Sequence, residues 1–377
     1  MKRDLMIIGA VAVVAIVILS GTLVLVGGSD DDPGGNEPTS MHVTDMLGRS
    51  VTVSTNITRV VATNPGALRY MVYMDAVDMV VGVENGNQAS SSLTGATYEL
   101  AYPDLPTRDT IGPTFGGDPE LIMSVNPQVL FDTQRSAGDC NALASTLGIP
   151  VISLNCVMDM TTSANYSNFC QAMRLIGQVL NKGERAEELI SYIDSVRSDI
   201  ESRVANTTAS TRTAYIGGLS SRGSHGLDYT ASNYAPFIYS DVENVVTPEM
   251  TSHASSAKQI SLEILPSLNP DVLFVDAGGL ALCKQNYADN PSLYDGITAF
   301  QTGEIYLLMP FNYYSANYDT LLADCYYVAS IMYPDAFTDV NILEKADEIY
   351  TAFLGVPVYS LVASGYFGGF QQLGSLE

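Results

Sequence analysis

Lysine is scarce and tryptophan is absent in this sequence of 377 residues. Five Lys and 12 Arg face 41 Asp plus Glu, so a formal net charge of −24 arises from only 15% charged residues. A deficit of cations on this scale excludes recruitment to a nucleic-acid backbone or an anionic lipid surface by long-range attraction. Histidine occurs three times, and no H-E-x-x-H, G-x-S-x-G or P-loop is present. That removes the zinc-protease, α/β-hydrolase and nucleotide-hydrolase chemistries those motifs carry, and Ser224 beside His225 is no triad, because adjacent residues seldom face one another as nucleophile and base. No enzyme and no resident cofactor are expected. No C-x-x-C pair occurs, which argues against structural zinc. The five cysteines (140, 156, 170, 283 and 325) cannot all pair within one chain. They are read as buried thiols, or as one disulfide among Cys140, Cys156 and Cys170 in an oxidising compartment.

Long apolar runs are absent from the body but present at the amino end. Leu5 to Gly28 carries no charge over 24 residues and follows Lys2 and Arg3. It is long enough to span a bilayer and longer than the apolar core of an ordinary signal peptide. Residues 1–28 are therefore expected to be a membrane anchor or signal, with the body exported because the cations precede the span. Residues 29–40 form an acidic, Gly-rich and Pro-rich tether.

One motif occurs twice. Asp118-Pro-Glu-Leu-Ile-Met-Ser-Val-Asn-Pro-Gln-Val-Leu-Phe131 and Ser261-Leu-Glu-Ile-Leu-Pro-Ser-Leu-Asn-Pro-Asp-Val-Leu-Phe274 align without a gap. Each copy reads as a short helix with a carboxylate in its first turn, an Asn-Pro break and a buried strand of the parallel type. Strands are expected at 59–63, 79–83, 150–154, 213–217 and 305–308, and helices at 65–74, 140–147, 317–332 and 342–353. Residues 164–205 have a helical pattern broken at Asn181-Lys-Gly183, a candidate strut between lobes. The fold class is then α/β, with two doubly wound lobes at 41–160 and 211–377 joined by a helical linker at 161–210.

A tethered, two-lobed chain of this kind resembles the substrate-binding proteins of ABC importers, in the class with one long backbone helix that serves iron-siderophore, haem and cobalamin uptake. The resemblance covers about residues 42–355. It rests on Val43-Thr-Asp-Met-Leu-Gly-Arg-Ser-Val-Thr-Val53, Arg59-Val-Val-Ala-Thr-Asn-Pro65, Asp78-Met-Val-Val-Gly-Val83 and the two repeats. Within that class, Asn312-Tyr-Tyr-Ser-Ala-Asn-Tyr-Asp319 is similar to the archaeal and anaerobe iron-chelate branch. The resemblance implies a monomer that hands its ligand to membrane permease subunits, docking through a Glu on each lobe. The matching positions are Glu120 and Glu263.

Ligands of bilobal binders sit against loops at the carboxyl ends of strands. The loops after 63, 131, 217 and 308 qualify, and they supply Asn64, Arg69, Arg135, Arg222, His225, Tyr313 and Tyr314. The arginines suit chelate carboxylates, and the rings suit stacking or direct ligation of ferric iron. An iron complex is the expected ligand, with haem or cobalamin next. A bilobal sensor or adhesion ectodomain uncoupled from a permease is the other reading.

Overall fold

The computed structural model describes residues 39–87, 96–157, 160–207, 212–220, 223–254 and 256–377. The expected anchor at 1–28, nearly all of the tether and Arg222 lie outside the described residues. Among those described, no helix is long and apolar enough to cross a membrane.

Every residue of the strands Val60–Thr63, Val129–Asp132 and Val151–Ser153 is buried. Runs of this kind suit a parallel sheet covered on both faces. The three strands pair in parallel, Val60 opposite Val129 and Leu130 opposite Val151. On its other side Val60 bridges Val80. The chain thus leaves Val60–Thr63 in one direction first and in the other later, which makes a topological switch point beside Val129–Asp132. The strand expected at 79–83 is reduced to single bridges at Val80 and Val83 around a 3-10 turn, Val77–Met79. Arg108 takes up the carbonyls of Val77 and Val80 at 2.5 and 2.6 Å, so these groups are satisfied outside a ladder.

The second sheet runs Gln371–Gln372, Ile305–Leu308, Val272–Asp276, Thr213–Gly217, Glu243–Asn244. Only the first of these is antiparallel to its neighbour. Its switch point lies between Thr213–Gly217 and Val272–Asp276. In both repeat copies the Asn of Asn-Pro adopts left-handed backbone, φ 48° at Asn126 and 42° at Asn269. Asn tolerates this conformation better than most side chains, and it turns each short helix into its strand.

The helical stretch differs from a single strut. Ser163–Leu180 ends on left-handed Asn181, and Gly183–Ala205 folds back along it. The register is antiparallel, with Tyr166 bonded to Asp194 and Arg174 to Glu187, each at 2.6 Å. A Cβ at Gly177 would approach the Lys182 carbonyl to 3.1 Å, so the return is close. The second helix is about 35 Å long. At its start Arg185 donates to the Tyr73 carbonyl at 2.9 Å, and at its far end the chain enters Thr213–Gly217.

One hydrophobic cluster extends from Val43 to Leu376, and Ser40–Glu377 forms a single compact unit. The seam is aromatic. Helix Ala67–Tyr73 is wholly buried against the start of helix Tyr318–Met332, with Tyr70 and Tyr318 rings 6.2 Å apart and Phe169 and Tyr318 rings 4.8 Å apart. Buried phenols here find partners, as they must. Tyr70 and Tyr318 share a bond of 3.2 Å, and Tyr73 donates to Asp319 at 3.2 Å.

Candidate functional site

Both switch points open onto one cavity of about 940 Å³. Pro65, Phe115, Thr133 and Gln134 line it from the first half of the chain. Ser220, Gly223, Ser224, Ala277, Gly278, Asn312 to Ser315 and Gly365 to Phe367 line it from the second. Five aromatic rings face it, from Phe115, Tyr313, Tyr314, Tyr366 and Phe367, and no charged side chain does among the described lining residues.

Of the expected ligand residues, Tyr313 and Tyr314 are at the cavity. Burial pushes both phenols upward, with nearby Glu99 adding at Tyr313 and Glu84 at Tyr314. Both therefore face the cavity as neutral phenols that can hydrogen-bond and stack.

Arg69 does not reach the cavity. It is fully buried, donating from Nε to Asn317 at 3.0 Å and from Nη2 to the carbonyls of Tyr313 and Tyr314 at 2.9 and 3.1 Å. Its guanidinium also lies 5.2 Å from the Tyr98 ring centre. A cation expected to clamp ligand instead holds the tyrosine loop from behind.

Arg135 is likewise outside the lining. Its Nη1 pairs with Asp132 and its Nη2 donates to the Gly116 carbonyl at 2.6 Å. Asn64, buried with φ 74°, donates from its side chain to Asp132 at 2.6 Å and from its backbone to Glu84 at 3.0 Å. His225 stacks on Tyr229 with ring centres 3.8 Å apart and is not among the lining residues. The Gly-rich loop it belongs to does contribute Ser220, Gly223 and Ser224.

Glu120 and Glu263 are exposed, each in the first turn of its repeat copy. Asp118 caps the first through the N–H groups of Glu120 and Leu121, and Ser261 caps the second through that of Glu263. A capped first turn places a carboxylate where the helix dipole favours it. All five cysteines are free thiols, four of them buried, so the disulfide alternative does not hold.

Three carboxylates that sequence reasoning missed stand behind the cavity wall. Glu84 is buried, accepting from the Gly116 N–H at 2.6 Å and from the Tyr314 hydroxyl at 3.4 Å. Burial raises its pKa, and hydrogen bonds from Gly116, Asn64 and Tyr314 oppose the rise. Asp276 closes strand Val272–Asp276, and burial pushes it up to about 7 against hydrogen bonds from Gly278 and Ser220. Asp324 is raised further by burial and by Asp276, and its Oδ2 has no hydrogen-bond partner. The one signal for Asp276 was a carboxylate ending an apolar strand run. Glu84 had none. No group of three or more His, Cys, Asp or Glu able to hold a metal ion occurs among the described residues.

The architecture has known counterparts. A family model for periplasmic binding protein matches residues 60–310, and the chain belongs to that family. Over 335 residues it is 23% identical to the molybdate-binding protein MolA of Haemophilus influenzae, across 82% of this chain and 90% of MolA. The molybdate-bound structure of MolA is similar with a TM-score of 0.64, at 21% identity over 84% of this chain and 98% of that one. A periplasmic solute-binding protein of Veillonella parvula gives 0.66 at 18% identity, over 87% and 96%. The TroA-like periplasmic binding protein FepB of the same organism gives 0.61 at 19%, over 84% and 96%. Structural likeness at these identities shows the fold alone.

Proposed function

We propose that this chain is the extracytoplasmic solute-binding component of an ABC importer and that its cargo is an organic metal chelate, an iron complex first among these. The observation that carries the ligand class is the cavity itself. Its volume of about 940 Å³ is at the upper end of sites for drug-sized ligands, and its five rings offer apolar and π contact without a charged side chain among the described lining residues. The aromatic seam between the two sheets supports capture with little hinge motion, because separating it would expose packed rings to water. Two lobes, divided near 160 and 210, would then deliver the ligand to permease subunits through Glu120 and Glu263 while residues 1–28 hold the body at the membrane.

A second reading is an oxyanion. MolA binds molybdate by name, and Thr133, Gln134, Ser220, Ser224, Asn312 and Ser315 supply neutral donors at this cavity. Thermal-shift measurements on the full chain with ferric citrate, ferric tris(2,3-dihydroxybenzoate), haemin, hydroxocobalamin and sodium molybdate separate the readings, since a ligand that binds only the folded state raises the melting point by an amount that grows with the logarithm of its concentration over Kd. A rise with an organic chelate and none with molybdate is expected. The reverse pattern replaces the chelate by the oxyanion.

A further inference from the structure

Two phenylalanines at the cavity are both exposed and both strained. Phe115 is 66% exposed at φ 71°, and Phe367 is 59% exposed at φ 54°. A bulky side chain in left-handed backbone carries a steric cost that glycine avoids, and an exposed phenyl ring recovers little of it through burial. Folding alone therefore explains neither residue.

Both rings line the same cavity, one from each half of the chain. Their backbones are held in place. Beside Phe115, the Gly116 N–H donates to Glu84 and its carbonyl accepts from Arg135, both at 2.6 Å. Beside Phe367, the Gly368 N–H donates to the Ala363 carbonyl at 2.9 Å, and the Phe367 carbonyl accepts from Gln371 Nε2 at 2.6 Å. The Phe115 ring lies 6.1 Å from that of Tyr314, which extends the aromatic wall. A ring on a fixed backbone has only its two side-chain torsions to lose when a flat partner stacks on it.

We propose that Phe115 and Phe367 clamp a ligand with a planar π face, so that the cargo is a ring-bearing metal complex rather than a bare oxyanion or an aliphatic chelate. The clamp rests on the solute-capture reading above and narrows it.

Calorimetric titration of the full chain tests it, with ferric tris(2,3-dihydroxybenzoate), haemin and hydroxocobalamin as ring-bearing probes and ferric citrate and sodium molybdate as ring-free ones. At least one ring-bearing probe is expected to bind roughly tenfold or more tightly than either ring-free probe. Phe115→Ala and Phe367→Ala are each expected to weaken it about tenfold, the size of a lost aromatic contact. Neither ring belongs to the core, so ligand-free melting should not fall. Phe115→Gly and Phe367→Gly should raise it by relieving the left-handed strain.

Tighter binding of a ring-free probe, or equal binding of the best ring-bearing probe by wild type and the double alanine variant, overturns the clamp and leaves solute capture standing. Wild-type silence toward all five probes removes both cargo readings, organic chelate and oxyanion, and the clamp with them.

Discussion

The two sheets each end a strand on a buried carboxylate behind the cavity wall and surround it differently. Asp132 ends its strand inside a full shell. It accepts from Thr63 Oγ1 at 2.7 Å, from Asn64 at 2.6 Å and from the N–H groups of Gln134 and Arg135, and it pairs with the Arg135 guanidinium. Asp276 accepts from the Gly278 N–H at 2.8 Å and from Ser220 at 3.4 Å, with no salt bridge among the described residues and Asp324 as a like-charged neighbour. The repeat aligns Phe131 with Phe274, so Asp132 corresponds to Val275, and Asp276 falls one residue later. One step along a strand moves a side chain to the other face. The first sheet therefore sets its carboxylate beside a cation, while in the second, burial without a cation favours a proton on Asp276.

The largest expected effect tests what the two copies share. Reversing both docking candidates, Glu120→Lys with Glu263→Lys, should lower ligand uptake by about two orders of magnitude, since like charge against a cationic partner costs several kcal/mol. Ligand affinity measured by calorimetry should be unchanged. A parallel loss of affinity would show that these residues do not serve docking.

The next effect tests where the copies part. Arg135→Leu leaves Asp132 buried without its cation and should lower stability by about 3–5 kcal/mol in urea unfolding at pH 7. Adding Asp132→Asn should restore much of that loss. A single variant as stable as wild type would mean that the neutral donors around Asp132 suffice, and the contrast with Asp276 would vanish.

The smallest effect concerns the proton. Asp276 is pushed up to about 7 from an ordinary value near 3.9. Between these values the folded state binds a proton that the unfolded chain does not. Its contribution to stability is thus largest in mild acid and falls as pH rises from about 4 to about 7. Asp276→Asn should flatten that decline and raise stability at pH 8 by roughly 2 kcal/mol. The gain is smaller than removal of the buried charge alone would give, because the amide brings donors that need partners. Melting curves across pH check it, and an unaltered slope assigns the proton elsewhere, with Asp324 the first alternative.

Much of the scaffold was legible in the chain. Strands Thr213–Gly217 and Ile305–Leu308 fall on the expected residues, and the helix break falls at Asn181, because burial on both faces and helix ends leave local signatures. The site was legible only as a set of loops. Arg69 and Arg135 sit after strands as expected, yet their partners are as remote in sequence as Asn317 for the first and as close as Asp132 for the second. No spacing distinguishes a cation that meets ligand from one that meets a buried carboxylate or carbonyl. Phe115 escaped notice because exposure and backbone angle have no one-residue signature.

Periodicity, caps and the Asn-Pro repeat determined by themselves which segments form strands and helices, since those choices depend on neighbours a few residues away. Only the tertiary structure decided that the helical stretch doubles back and that both switch points share one cavity. It also decided that the described wall of this cavity is aromatic, with Arg69 and Arg135 set behind it. Those outcomes depend on which distant groups meet. In a body this poor in cations, Arg69 is engaged by the carbonyls of Tyr313 and Tyr314, and Arg135 by Asp132 and the Gly116 carbonyl.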